Sequence, residues 1–179
     1  MPGSPPPLAL DDLRAADYEA VASWFADEEQ FVTAVARAFT YPLSRAEYED
    51  YFLPEPAPRP ARRCLRAVID HRTVGMASLA RLDWRNDSGH LAFVAVDPAW
   101  RGQGVGAAML RHVLRLCFDE YELHRVSLLV FPFNLPAIRC YERLGFQREG
   151  VSRQACRFGA GYLDAIAMSL LRPEWAAVP

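Results

Sequence analysis

The chain contains no lysine: all 20 of its basic residues are arginine, set against 22 Asp and Glu. A P-loop of the form G-x-x-x-x-G-K-[ST] is therefore excluded. The all-arginine usage reads as codon bias rather than as guanidinium chemistry. A net charge of −2 gives no overall field for nucleic acid or an anionic membrane surface. Cysteine is scarce and scattered. Cys64, Cys117, Cys140 and Cys156 form no C-x-x-C pair, so neither a zinc site nor a disulfide framework is expected, and no metal. No apolar run approaches the roughly 18 residues of a membrane span. The opening "MPGSPPPLAL" lacks the basic and apolar regions of a secretory signal. A cytoplasmic protein is expected.

What is present is an ordinary globular composition, 51% hydrophobic and 23% charged over 179 residues. One domain over residues 8–175 is expected, preceded by a flexible Pro/Gly/Ser-rich tail over 1–7. From Asp11 to Phe39 the apolar spacing is helical, with Asp27 as a cap and Glu28 and Glu29 in the first turn that follows. Ser44 opens a short helix whose Glu47 completes a capping box. "PEPAPRP", Pro54 to Pro60, is a surface connection. The period then switches to two. Residues 62–70, 74–84 and 90–96 read as strands of an antiparallel meander. Gly104 to Phe118 is a helix with Ala107, Leu110, Leu114 and Cys117 inward. Residues 125–131 form a strand parallel to 90–96, because a helix separates the two. A helix from Asn134 to Leu144 ends at Gly145, and two last strands follow.

"VDPAWRGQGVGAAML", Val96 to Leu110, places three glycines between a strand and a helix. Helix N-terminal N–H groups lack intrahelical partners and the dipole adds about half a positive charge, so this is an anion site. Gly102-x-Gly104-x-x-Ala107 formally matches the dinucleotide fingerprint. However, five residues separate its first glycine from the strand, and the next strand ends "VFPFN" without the required acid.

Arg101-x-x-Gly104-x-Gly106 after "FVAVDP" resembles the diphosphate loop of the GNAT superfamily of acyl-CoA N-acyltransferases. "NLPAIRCYERLGF", Asn134 to Phe146, is similar to a second segment of that family, at the family's spacing. The tail "GVSRQACRFGAGYLDAIAMSLLRPEW" looks like the branch named for ribosomal-protein N-acetyltransferases. The resemblance covers Leu8 to Leu171. It implies an α/β fold: a mixed, mostly antiparallel sheet of six to seven strands, with a splayed central parallel pair and flanking helices. It also implies acetyl transfer from acetyl-CoA (coenzyme A) to a primary amine by direct attack in a ternary complex.

By the same resemblance, backbone groups of Val94, Ala95 and Val96 hold the thioester arm. Arg101, Gly102, Gln103, Gly104, Val105 and Gly106 take the diphosphate, and Asn134 and Ala137 line the cofactor. Tyr141 matches the acid that protonates the leaving thiolate; its plain alternative is a packed aromatic. At the two positions where members carry a basic glutamate, this chain has Leu129 and His90. His90 is a candidate base; its alternatives are an exposed turn histidine and proton relay by water alone. Trp24, Asp27 and Glu28 are candidates for the acceptor side, although first-turn carboxylates also serve the helix dipole. Glu47, Glu49 and Asp50 read as a solvated face. A non-catalytic acyl-CoA sensor is the rival reading, and an NAD-type domain a weaker one. The acceptor, as small molecule or protein N-terminus, and the oligomeric state stay open; a homodimer is common in similar proteins.

Overall fold

The computed structural model describes residues 7–36 and 38–176. The expected tail over 1–7 lies, apart from Pro7, outside them. Seven strands form one sheet in the order β1-β2-β3-β4-β5-β7-β6. They are β1 (Ala9–Asp12), β2 (Arg63–Ile69), β3 (Arg72–Asp83), β4 (Ser88–Val96), β5 (Arg125–Val130), β6 (Gln147–Phe158) and β7 (Gly161–Leu171). Every neighbouring pair is antiparallel except β4 and β5. The mixed sheet with one central parallel pair is the one expected.

The stretch expected to be helical from Asp11 is not continuous. It begins in β1, an edge strand of four residues paired with β2, and a 3-10 turn Ala15–Asp17 follows. Helices α1 (Tyr18–Ser23) and α2 (Glu28–Val35) come next. A strand this short offers too few residues for a period of two to show against the helical spacing beyond it. Helix α3 (Arg45–Phe52) begins at Ser44 with the expected capping box. The turn between β2 and β3 is tighter than expected. Asp70 and His71 both take positive φ, 47° and 64°, as a two-residue hairpin turn requires.

Successive strand residues point to opposite faces, so two cores form. Cys64, Met76 and Ala95 meet α1–α3, where Phe31, Tyr48 and Phe52 fill the space. Leu65, Ala77 and Leu79 meet α4 (Val105–Arg115) on the other face. The buried stripe of α4 is Val105, Met109, Leu110, Val113 and Leu114. Cys117 is also buried, but Ala107, expected inward, is only partly so. The stripe runs through i, i+4 and i+8 from Val105, which turns Ala107 aside. Among the described residues no helix is long and apolar enough to cross a membrane.

Candidate active site

The site lies where the sheet opens. β4 and β5 are in register only from Ser88 and Arg125 to Leu91 and Leu128. β5 goes on pairing with β7 as far as Val130 and Ile166, while β4 departs. The cause is in β4 itself. Met76 pairs with Ala95 and Ser78 with Ala92, so three steps of β4 answer two of β3. The extra residue is a β-bulge, and Phe93 carries a φ of 50° within it. A bulge bends its strand, which leaves the backbone of β4 beyond Leu91 without a strand on the β5 side.

A cavity of about 1060 Å³ fills the opening. Val94 and Val96 line it from β4, but Ala95 does not; the pleat turns its side chain into the core under α1–α3. Any contact of Ala95 with the arm is therefore through its backbone.

At one end the cavity meets the glycine loop. Gly104 caps α4 in the left-handed region, φ 81°, and no side chain caps the helix. Gly102 has φ 75°. A Cβ added to either would find no atom within 4 Å, so what these glycines leave open is space outside the protein. Among the described residues no protein group accepts from the N–H groups of Gly102, Gly104, Val105 or Gly106. These N–H groups are open to an incoming anion. Two side chains of the loop point elsewhere. The Arg101 guanidinium donates to the carbonyls of Val96 (3.0 Å) and Trp24 (3.3 Å), and Gln103 donates to Ala99 O (2.8 Å). In this state the Arg101 guanidinium fastens the loop to β4 and α1, and its own N–H donates to Pro98 O at 3.4 Å, so the donors left for an anion are the N–H groups of Gly102, Gly104, Val105 and Gly106.

Helix α5 (Leu135–Arg143) forms the opposite wall. Asn134 Oδ1 caps it by accepting from Ala137 N at 3.3 Å, and Gly145, φ 95°, follows its end. Asn134, Ala137 and Tyr141 lie one helical turn apart and all line the cavity. Tyr141 is 7% exposed and packs edge-on against Phe146. Its hydroxyl has no hydrogen-bond partner among the described residues. Burial pushes its phenol well above the ordinary value, so it holds its proton throughout the neutral range.

His90 is not an exposed turn residue. It stands within β4, partly buried, on the cavity wall. Its Nδ1 is 3.0 Å from Ser127 Oγ, and that hydroxyl donates to Gly89 O at 3.4 Å. In this arrangement Nδ1 carries the imidazole proton and Nε2 keeps a lone pair. Burial first, then the charge of Arg81, pushes its pKa down to about 4. Leu129, at the other position without an acid, also lines the cavity and is 47% exposed.

The expected acceptor residues fare differently. Trp24 is 3% exposed inside the core under α1–α3 and forms no cavity wall; an indole this apolar is buried by the helix pair that carries it. Asp27 caps α2, accepting from Gln30 N at 2.8 Å, and Glu28 follows on the same exposed turn. The cavity is lined instead by the far end of α2, Thr33 to Val35, so neither carboxylate faces it. Sequence reading missed other residues that line the cavity: Tyr51, Glu55, Arg62 and Arg81. No local spacing marks them, because α3, the proline-rich connection and β3 bring them together only on folding.

The model of the Acetyltransferase (GNAT) family matches residues 18–146. The chain belongs to this family. Acetyl-CoA is accordingly its cosubstrate, N-acetyl transfer its activity, and nothing found favours the non-catalytic sensor. The chain is similar to L-amino acid N-acetyltransferase AaaT of Escherichia coli (strain K12), 31% identical over 118 residues, which are 65% of this chain and 72% of AaaT. YdaF of Bacillus subtilis (strain 168), which carries the ribosomal N-acetyltransferase name, is 30% identical over 108 residues, 60% of this chain and 58% of YdaF. The chain thus spans little more than half of YdaF. Spermidine N-acetyltransferase from Vibrio cholerae, solved with CoA and spermine, superposes with a TM-score of 0.78 over 94% of this GNAT chain and 98% of that one. At 20% identity it shares the fold.

Proposed function

We propose that this GNAT chain acetylates a primary amine held between β4 and α3, with the loop Arg101–Gly106 on the CoA diphosphate. One observation carries the reading: the uncapped, glycine-bearing start of α4 opens on the same cavity as the unpartnered Tyr141 hydroxyl. The thioester arm then runs along β4 past its bulge, where unpaired backbone N–H groups can face the carbonyl oxygen.

The amine nitrogen attacks the thioester carbon, forming C–N. The C–S bond then breaks, and the departing thiolate takes the Tyr141 proton. Tyr141 regains a proton from solvent. The acceptor enters as the neutral amine, having left its ammonium proton in solvent, and the nitrogen sheds one further proton after attack. His90, with its pKa near 4, is far too weak to deprotonate a resting ammonium near 10. It accepts the further proton at Nε2 only after C–N bond formation has acidified the nitrogen, and passes it to water. This joins the two routes left open by the sequence, a histidine base and a water relay.

Val94, Val96, Asn134 and Ala137 line the arm and Ala95 contributes backbone. A single domain over 8–175, in the cytoplasm, completes the reading; cysteines without a disulfide among them and the near-neutral charge support it. The relatives differ over the acceptor, since AaaT is named for L-amino acids and the Vibrio protein for spermidine. The test is release of free CoA thiol from acetyl-CoA by a panel of amines. Amine-dependent release that falls about a hundredfold in Tyr141→Phe is expected. Release by Tyr141→Phe at the full rate removes the tyrosine from the mechanism.

A further inference from the structure

Among the described residues four charged side chains line the cavity: Glu55, Arg62, Arg81 and Arg101. Three are engaged. Arg101 is tied to the Val96 and Trp24 carbonyls at the diphosphate end. Arg62 pairs with Glu55 at 3.3 Å and lies over the Tyr51 ring at 4.2 Å. Glu55 also accepts from Ala61 N at 3.1 Å. Arg81 has no hydrogen-bond or ion-pair partner among the described residues. The acceptor end therefore holds one neutralised pair and one uncompensated cation.

Arg81 is held there by an irregular backbone. Ala80 pairs with His90 and Asp83 with Ser88, so three steps of β3 answer two of β4. Arg81 sits in this second bulge with φ 49°. A long non-glycine residue in the left-handed region is uncommon and strained. Bulges also re-aim side chains beside sites. Here the redirected residue directly follows the cross-strand partner of His90, and its charge reaches both His90 and Tyr51.

We propose that the acceptor is an amine bearing a carboxylate, and that Arg81 anchors this carboxylate while the amine faces His90 and the thioester. The inference rests on the acetyl-transfer reading above. A polycation has no free carboxylate to meet among the described lining side chains and confronts the unpaired Arg81 guanidinium. A planar carboxylate instead finds the donor geometry that a guanidinium fork presents.

The test compares α-amino acids with their C-terminal amides, and with spermidine, in the thiol-release assay. Wild type is expected to turn over at least one amino acid with kcat/KM about tenfold or more above its amide. In Arg81→Gln the KM for that amino acid rises roughly ten- to hundredfold with kcat little changed, while the amide is unaffected. Arg81→Lys restores part of the loss, and Arg81→Glu reverses the preference. Equal use of acid and amide by wild type, preference for spermidine, or an equal effect of Arg81→Gln on both overturns the anchor and leaves acetyl transfer standing. If no amine releases thiol, acetyl transfer itself fails. Calorimetry of the CoA-loaded protein with N-acetyl amino acids and their amides then still decides the anion site. Carboxylate-dependent binding lost in Arg81→Gln supports it, and its absence refutes it.

Discussion

Replacing Gly104 with valine puts a branched side chain at the cap of α4, where φ is 81° and ψ is −3°. Two effects separate cleanly. A Cβ there meets no protein atom within 4 Å, so the stability cost is the left-handed backbone alone, about 1–2 kcal/mol. For a domain of this size that lowers Tm by about 4 °C. Gly159, φ 56°, in the β6–β7 turn, has the same open surroundings. Gly159→Val should therefore lose a similar amount of stability. The second effect belongs to the loop alone. A side chain at 104 stands in front of N–H groups with no protein acceptor, and losing even one charge-assisted bond weakens CoA binding by roughly ten- to hundredfold. Calorimetric titration of CoA into wild type and both variants measures this. Equal CoA affinity in Gly104→Val and Gly159→Val would refute the placement of the diphosphate, whatever the two melting temperatures did.

Tyr141→Phe should leave Tm within about 2 °C of wild type, because the hydroxyl it removes has no partner among the described residues, and should act on kcat rather than on the KM for acetyl-CoA; a raised KM with kcat intact would mean that the ring serves only packing. His90 is held neutral by the fold, its pKa lowered to about 4 by burial and by Arg81. Between that value and the ordinary 6.5 the unfolded chain binds a proton that the folded chain does not, so stability should fall as pH drops through this window. In His90→Asn the slope of ΔG against pH from 6.5 to 4 should flatten, and denaturant melts at three or four pH values read it directly. Ser44→Ala breaks the capping box in which Glu47 N meets Ser44 Oγ at 3.2 Å. About 1 kcal/mol is expected, or about 3 °C in Tm, and an unchanged Tm would show that Glu47 holds the α3 start without the hydroxyl, through Thr40 N, 3.0 Å away, and the N–H of residue 44, 3.2 Å away.

The strands β2 to β5 and the helices α3 to α5 were legible because each carries its own period, cap or terminating glycine within a short span of chain. The capping box at Ser44 and the stop at Gly145 are local chemistry and appear where local chemistry puts them. The parallel β4–β5 pair followed from the helix between the strands. β1 was not legible, since four edge residues take their strand character from β2 rather than from their own pattern.

The candidate site divides along the same line. The sequence by itself determined the half that we assign to the cofactor: the glycines, Asn134, Ala137 and Tyr141 lie in two segments whose spacing within a turn or a helix sets their geometry. Folding decided the half that we assign to the acceptor. The two bulges are mismatches between partner strands, visible in neither strand alone, and they open the sheet at Phe93 and redirect Arg81 beside His90. Trp24 and the Asp27–Glu28 turn looked suitable by residue type, yet packing buried the first and faced the other two away. Which charges remain unpaired in the cavity is a property of contacts between distant segments, and only the tertiary structure could set it.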